Sequence, residues 1–168
     1  MKRDTLYSGP GEDARPFVFD DKVVRVFQDM IQRSVPGYEM SLSMIALIAR
    51  KYAQPNTRVY DLGCSLGASS LALVSGNPVK DVQLIGVDNS EAMLSRCTEN
   101  LEQAHLDCEW RLVCEDILDT EIKNASIVIL NFTLQFIPLE RRLALLSNIY
   151  QGMVPGGVLL VSEKIAFD

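Results

Sequence analysis

The stretch Val59-Tyr60-Asp61-Leu62-Gly63-Cys64-Ser65-Leu66-Gly67-Ala68 decides the fold. Arg58 to Leu62 has the length and apolar content of a short buried strand. Gly63 to Gly67 is a loop bounded by glycines, and Ala68 to Val74 opens a helix. A strand, a tight turn and a helix in immediate succession begin a parallel crossover unit. Working outward, the alternation repeats. Val82 to Asp88 is a second apolar strand, and Ser90 caps a helix to about Gln103, with Glu91 placed well for the helix dipole. Trp110 to Cys114 is a third strand and Ser126 to Leu130 a fourth. Pro138 begins a helix ending near Gly152, and Val158 to Ser162 is a fifth strand after the Pro155-Gly156-Gly157 turn. Five nearly continuous apolar strands alternating with helices predict an α/β fold, with a mainly parallel sheet covered by helices on both faces.

Toward the N-terminus the alternation stops. Residues 1–19 are rich in Gly, Pro and charge without a period, and read as an arm. Asp20 looks like an N-cap for a helix carrying Val23, Val24, Phe27, Met30 and Ile31, broken at Pro36-Gly37. A second helix runs from about Glu39 to Ala53, with Leu42, Ile45, Ala46, Ile48 and Ala49 on its buried side. The expected organisation is one domain: an arm (1–19), a helical extension (20–54) and a core (55–168).

The chain has 168 residues, a net charge of −6 and 48% hydrophobic residues. At this size a folded chain exposes roughly 8,000 Å² against roughly 27,000 Å² unfolded, enough burial for one core. The apolar content excludes a disordered chain. A pI near 4.8 argues against a dedicated nucleic-acid clamp. Met1 to Arg15 lacks the apolar region of a signal peptide, and no apolar run reaches the ~20 residues that span a membrane. A soluble cytoplasmic protein is the expectation. Cys64, Cys97, Cys108 and Cys114 show no zinc spacing, and with one histidine, His105, no metal site is expected. The cysteines read as small buried hydrophobes for the most part. Glu163-Lys164 reads as a solvated pair.

Ligands of open parallel sheets bind outside the carboxyl ends of the strands. There, Gly63 and Gly67 shape a loop whose backbone amides would face a ligand. Asp88 stands 21 positions after Gly67, where an acid typically accepts from two ribose hydroxyls. Helix capping is its alternative role. Asp116 suits an exocyclic amine and Ile117 the face of a base; a solvated turn acid is the alternative. Asn131 ends the fourth strand as a polar group needing a partner, or as a turn residue. Ser65 replaces the middle glycine of a dinucleotide fingerprint, so an amino-acid-bearing nucleoside such as S-adenosylmethionine fits better than a pyrophosphate.

These residues resemble the class I S-adenosylmethionine-binding fold, Rossmann-like, and more closely the carboxy-S-adenosylmethionine synthase family. The resemblance rests on Arg3 to Leu6, Phe27 to Tyr38 (F-Q-D-M-I-Q-R-S-V-P-G-Y), Val59 to Ala68, Asp88 to Ser90, Asn124 to Phe136 (N-A-S-I-V-I-L-N-F-T-L-Q-F) and Ser162 to Lys164. It implies conversion of S-adenosylmethionine and prephenate to carboxy-S-adenosylmethionine and phenylpyruvate. The sulfonium acidifies its methyl, and carbon dioxide lost as prephenate aromatises is captured by that carbon in a closed site. The product serves wobble-uridine modification of tRNA by a partner enzyme, so the synthase itself needs no nucleic acid. The resemblance places the ligand on Tyr38, Gly63, Cys64, Ser65, Asp88, Asn89, Asp116, Ile117 and Asn131, without a metal, in a homodimer. It names no catalytic residue here. The family continues roughly another 70 residues, a span of domain scale, and carries there an arginine for the ligand carboxylate. The chain therefore reads as C-terminally truncated, with its fifth strand an open edge. Two alternatives remain: a methyltransferase of another substrate, and a domain that binds S-adenosylmethionine or S-adenosylhomocysteine without activity.

Overall fold

The computed structural model describes residues 27, 30–31, 33–75 and 81–164. The arm at 1–19 and the Asp20 cap lie outside them. Phe27, Met30, Ile31, Arg33 and Ser34 are helical, as their spacing predicts. Helix α1 then spans Tyr38–Tyr52, entered through Gly37 at φ 80°. The core follows as β1 (Arg58–Leu62), α2 (Ala68–Ser75), β2 (Gln83–Asp88), α3 (Glu91–Gln103), β3 (Glu109–Cys114), β4 (Ala125–Asn131), a single 3-10 turn (Leu134–Phe136), α4 (Leu139–Gly152) and β5 (Met153–Ser162).

All the strand pairings are parallel and the order is β3-β2-β1-β4-β5. The chain winds one way from β1 to β3 and the other way from β4 to β5. The reversal lies between β1 and β4, and a crevice opens there at the carboxyl ends. Strand residues alternate between two cores. Val59, Leu84, Ile127 and Ile129 pack with Ile45 and Ala49 of α1, Leu73 of α2, and Cys97 and Leu101 of α3. Tyr60, Leu62, Ile85, Val128 and Leu130 pack with Leu145 and Ile149 of α4 and with Ile117 and Ile122. Helices therefore cover both faces, and β4 reads as one apolar run because both its sides are buried. Of the predicted buried side of α1, Ile45 and Ala49 are fully buried and Leu42, Ala46 and Ile48 half-buried.

The fifth strand departs from the expectation. It begins at Met153, not Val158. Ala125 pairs with Met153 and Ile127 with Val158, so Val154 to Gly157 are absorbed as an irregularity inside the strand. Pro155 has no N–H to offer the ladder, which is why the sequence marks a turn there. Among the described residues β5 is an edge, with Val161 46% exposed. The cysteines divide evenly. Cys64 and Cys97 are buried, whereas Cys108 is half-buried and Cys114 exposed, because Cys114 ends the edge strand β3.

Candidate active site

The glycine loop is held open by three left-handed residues, Gly63 (φ 80°), Ser65 (φ 51°) and Gly67 (φ 86°). A Cβ on Gly63 would lie 2.6 Å from Thr133, and one on Gly67 would lie 2.7 Å from the Cys97 sulfur. Both glycines are thus required by conformation and by close approach. Gly67→Ala is expected to lower unfolding stability by about 2 kcal/mol, through left-handed strain and overpacking against α3. Urea titration checks this, and an unchanged midpoint would contradict the close approach.

The amides of this loop do not behave as predicted. Those of Gly63 and Cys64 donate to Val87 O (2.8 and 2.9 Å), and that of Gly67 to Cys64 O (2.8 Å). The Ser65 amide donates to Asp88 Oδ2 (2.9 Å). Three of them tie the loop to the end of β2, the Gly67 amide closes the loop on itself, and the four do not form a free anion cradle. A pyrophosphate would find these four donors already engaged.

Asp88 ties the glycine loop to the start of α3, the capping role read as its alternative. Oδ2 holds Ser65, and Oδ1 accepts from the Ser90 amide (2.9 Å), at the start of α3. Each carboxylate oxygen keeps a lone pair for a further donor. Burial pushes the Asp88 carboxyl up, and the hydrogen bonds from the Ser90 and Ser65 amides pull it back in part. Ser90 itself accepts from Met93 N, the expected N-cap.

Among the described residues three buried oxygens have no hydrogen-bond partner, one each on Asn131, Asp61 and Glu163. Asn131 donates through Nδ2 to Ser69 Oγ (3.0 Å), which leaves Oδ1 without a donor. Asp61 accepts from Ser70 Oγ through Oδ2 (2.6 Å), and its Oδ1 has none. Burial raises the Asp61 carboxyl to about 6, against the Ser70 hydrogen bond and helped by the charge of Asp88. Burial, then the Asp61 charge, push the Tyr38 phenol up to about 12, so it stays a donor. The Tyr38 and Phe132 rings lie 6.3 Å apart and inclined at 41°.

All nine residues singled out from the sequence line one open cleft of about 1380 Å³: Tyr38, Gly63, Cys64, Ser65, Asp88, Asn89, Asp116, Ile117 and Asn131. One drug-sized ligand takes about 300–1,000 Å³, so this space admits a nucleoside and a second small molecule. Asp116 is exposed and accepts from Leu118 N (2.9 Å) through Oδ1, while Ile117 is buried beside it. A hydrogen bond with the Cys97 thiol, then burial, push the Cys64 thiol upward. The orphan acceptors of Asn131 and Asp61, the first of them on the cleft wall, suit the ammonium of an amino-acid tail. S-adenosylmethionine carries one.

A methyltransferase-domain family model matches residues 59–157. The solved S-adenosylmethionine-dependent methyltransferase of Clostridium acetobutylicum superposes with a TM-score of 0.66 at 19% identity, over 84% of this chain and 56% of that one. Streptomyces venezuelae DesVI gives 0.63 at 18%, over 88% and 59%. These show the fold. The carboxy-S-adenosyl-L-methionine synthase of Glaesserella parasuis is 51% identical over 168 residues, all of this chain and 70% of that protein. That of Shewanella sp. strain ANA-3 is 51% identical over 166 residues, 99% of this chain and 68% of that protein. The chain belongs to the carboxy-S-adenosyl-L-methionine synthase family.

Around the cleft stand residues that motif spacing did not single out. Asp61 reads from sequence as one more strand residue, because its lack of a partner is a property of packing. Glu163 is not half of a solvated pair. Its Oε1 accepts from Gln135 N (3.2 Å), its Oε2 is buried without a partner, and burial raises its carboxyl. It caps the 3-10 turn that follows Phe132 and Thr133. Lys164 instead lines the cleft, so the two neighbours serve different surfaces. Arg33 is exposed and is not part of the cleft lining. His105 is exposed beyond α3 at φ 47°. No helix among the described residues is long and apolar enough to cross a membrane.

Proposed function

We propose that this synthase-family chain converts S-adenosylmethionine and prephenate to carboxy-S-adenosylmethionine, phenylpyruvate and water. The observation that carries this reading is identity of 51% across the whole chain to carboxy-S-adenosyl-L-methionine synthases. Asn131 Oδ1, on the cleft wall and without a partner among the described residues, supports S-adenosylmethionine as the nucleoside. Asp88 takes the ribose hydroxyls, Asp116 the exocyclic amine, and Ile117 a face of the adenine. Asn131 and Asp61 balance the ammonium. Tyr38 and Phe132 offer ring faces near the sulfonium, where a cation is attracted by the ring quadrupole.

The sulfonium makes its methyl acidic. The methyl gives up one proton, and prephenate loses carbon dioxide and hydroxide as its ring becomes aromatic. The carbon dioxide ends on the former methyl carbon, and the proton and hydroxide make water. The chain's own contribution is to hold the two molecules together and to keep bulk water from the reacting carbon. The product would supply tRNA wobble-uridine modification, in the cytoplasm, without this acidic chain touching the tRNA. Leu139, Leu143 and Tyr150 of α4 are 76%, 76% and 80% exposed, an apolar stripe that supports a homodimer.

The deciding experiment incubates labelled S-adenosylmethionine with and without prephenate, on a preparation whose sedimentation mass is also taken. A nucleoside heavier by the mass of carbon dioxide, formed only with prephenate, is expected from a particle of twice 18.7 kDa. The methyltransferase-domain match favours a second reading, methyl transfer to another acceptor. That reading predicts S-adenosylhomocysteine and no heavier product.

A further inference from the structure

The carboxyl edge of the sheet reads as a linear map. In the order β3-β2-β1-β4-β5 it presents Asp116 and Ile117, then Asp88, the glycine loop, Asn131, and finally Lys164. On the proposed reading the nucleoside runs from its base at β3 to its amino-acid tail between β1 and β4. From the ribose acid on β2 to β5 is three strand spacings, about 14 Å. The second substrate must therefore sit toward the β4–β5 end, the stretch the nucleoside leaves uncovered.

The charges lining the cleft are uneven. Glu39, Asp88, Glu115 and Asp116 are acidic, and Lys164 is the one basic residue among the described lining residues. A doubly negative substrate is repelled by most of this wall, and among the described lining residues Lys164 is the one cation that can hold it. Lys164 is also exposed and has no ion pair with any described residue. Its neighbour does not neutralise it, because the Glu163 carboxylate is engaged on the 3-10 turn at Gln135 N. Lys164 is held in place by the sheet. Asn131 pairs with Ser162, and Phe132 N donates to Ser162 O (2.8 Å), so the strand ends only two residues before the lysine.

We propose that the Lys164 ammonium binds a carboxylate of the second substrate, a small dicarboxylic acid, and sets its position beside the sulfonium end of the nucleoside. This rests on the synthase reading above, and the test separates the two. Lys164→Met removes the charge and keeps the length of the side chain; Lys164→Arg restores a cation. With the synthase reaction running, Lys164→Met is expected to raise KM for prephenate about tenfold, the worth of one lost charge-assisted contact. Its kcat and its affinity for S-adenosylhomocysteine should stay near wild type, and Lys164→Arg should recover most of the KM.

An unchanged prephenate KM in Lys164→Met overturns the proposal while leaving the synthase reading intact. An equal loss of S-adenosylhomocysteine affinity overturns it too, since the lysine would then be serving the nucleoside. If the wild-type chain yields no carboxylated product, the synthase reading falls. The lysine is then judged by titrating phenylpyruvate into the protein loaded with S-adenosylhomocysteine. Binding that Lys164→Met abolishes supports the proposal, whereas absent binding, or binding indifferent to residue 164, overturns it.

Discussion

Asp88→Ala is expected to weaken S-adenosylhomocysteine binding by about a hundredfold, from two charge-assisted hydrogen bonds lost together. The size follows from where the carboxylate stands. It closes β2 at the mouth of the cleft, and each oxygen is anchored by one backbone amide, at Ser65 and at Ser90. Those anchors fix both remaining lone pairs, so a vicinal diol meets a preorganised pair of acceptors. Alanine removes the acceptors and also releases the Ser65 amide, leaving the left-handed Ser65 without its tether. Calorimetric titration reads the loss. A 2′-deoxy analogue separates the two contributions: it should bind the wild type more weakly than the parent nucleoside, but bind Asp88→Ala no more weakly. If the variant still discriminates between the two, or binds the parent as tightly as wild type, the ribose role of Asp88 is wrong.

How much of this was legible beforehand depends on whether the deciding interaction is local. The strand at Ala125–Asn131 announces itself, because a parallel strand buried on both faces is apolar over most of its length. Asp88 and the glycine loop are readable from spacing, since one crossover unit has a nearly fixed length. What spacing cannot give is the direction in which polar groups are turned. The Gly63, Cys64 and Ser65 amides look like ligand donors along the chain, yet they bond to Val87 and Asp88, which sequence separates by more than twenty positions. The pair Glu163-Lys164 fails for the same reason. Only the folded chain brings the Leu134–Phe136 turn against Glu163 and leaves Lys164 facing the cleft. The irregularity in β5 shows a third limit: Pro155 correctly signals a missing donor, but a strand can step over it when its partner allows the register to shift.

Asp61→Asn is expected to make the ligand-free protein more stable at pH 8 by about 3 kcal/mol, the worth of roughly two pH units of displaced titration. The carboxyl is fully shielded, has one hydrogen bond from Ser70, and is raised to about 6 by burial and by Asp88. Its native value lies above its unfolded one. Between about pH 4 and pH 6 the folded state therefore holds the proton more tightly, and stability falls as pH rises through that window. Below it both states are protonated and asparagine gains nothing. Above it the folded wild type carries a buried charge with no cation beside it among the described residues, and asparagine lacks that charge. Urea midpoints at pH 4 and pH 8 should thus coincide at the first value and separate at the second, and parallel pH profiles for the two proteins would refute the buried charge. The same variant should bind S-adenosylhomocysteine more weakly at pH 8, by about tenfold, because a cationic ligand is what relieves that charge. A site that is strained when empty and satisfied by an ammonium selects its ligand by the very group that destabilises the fold.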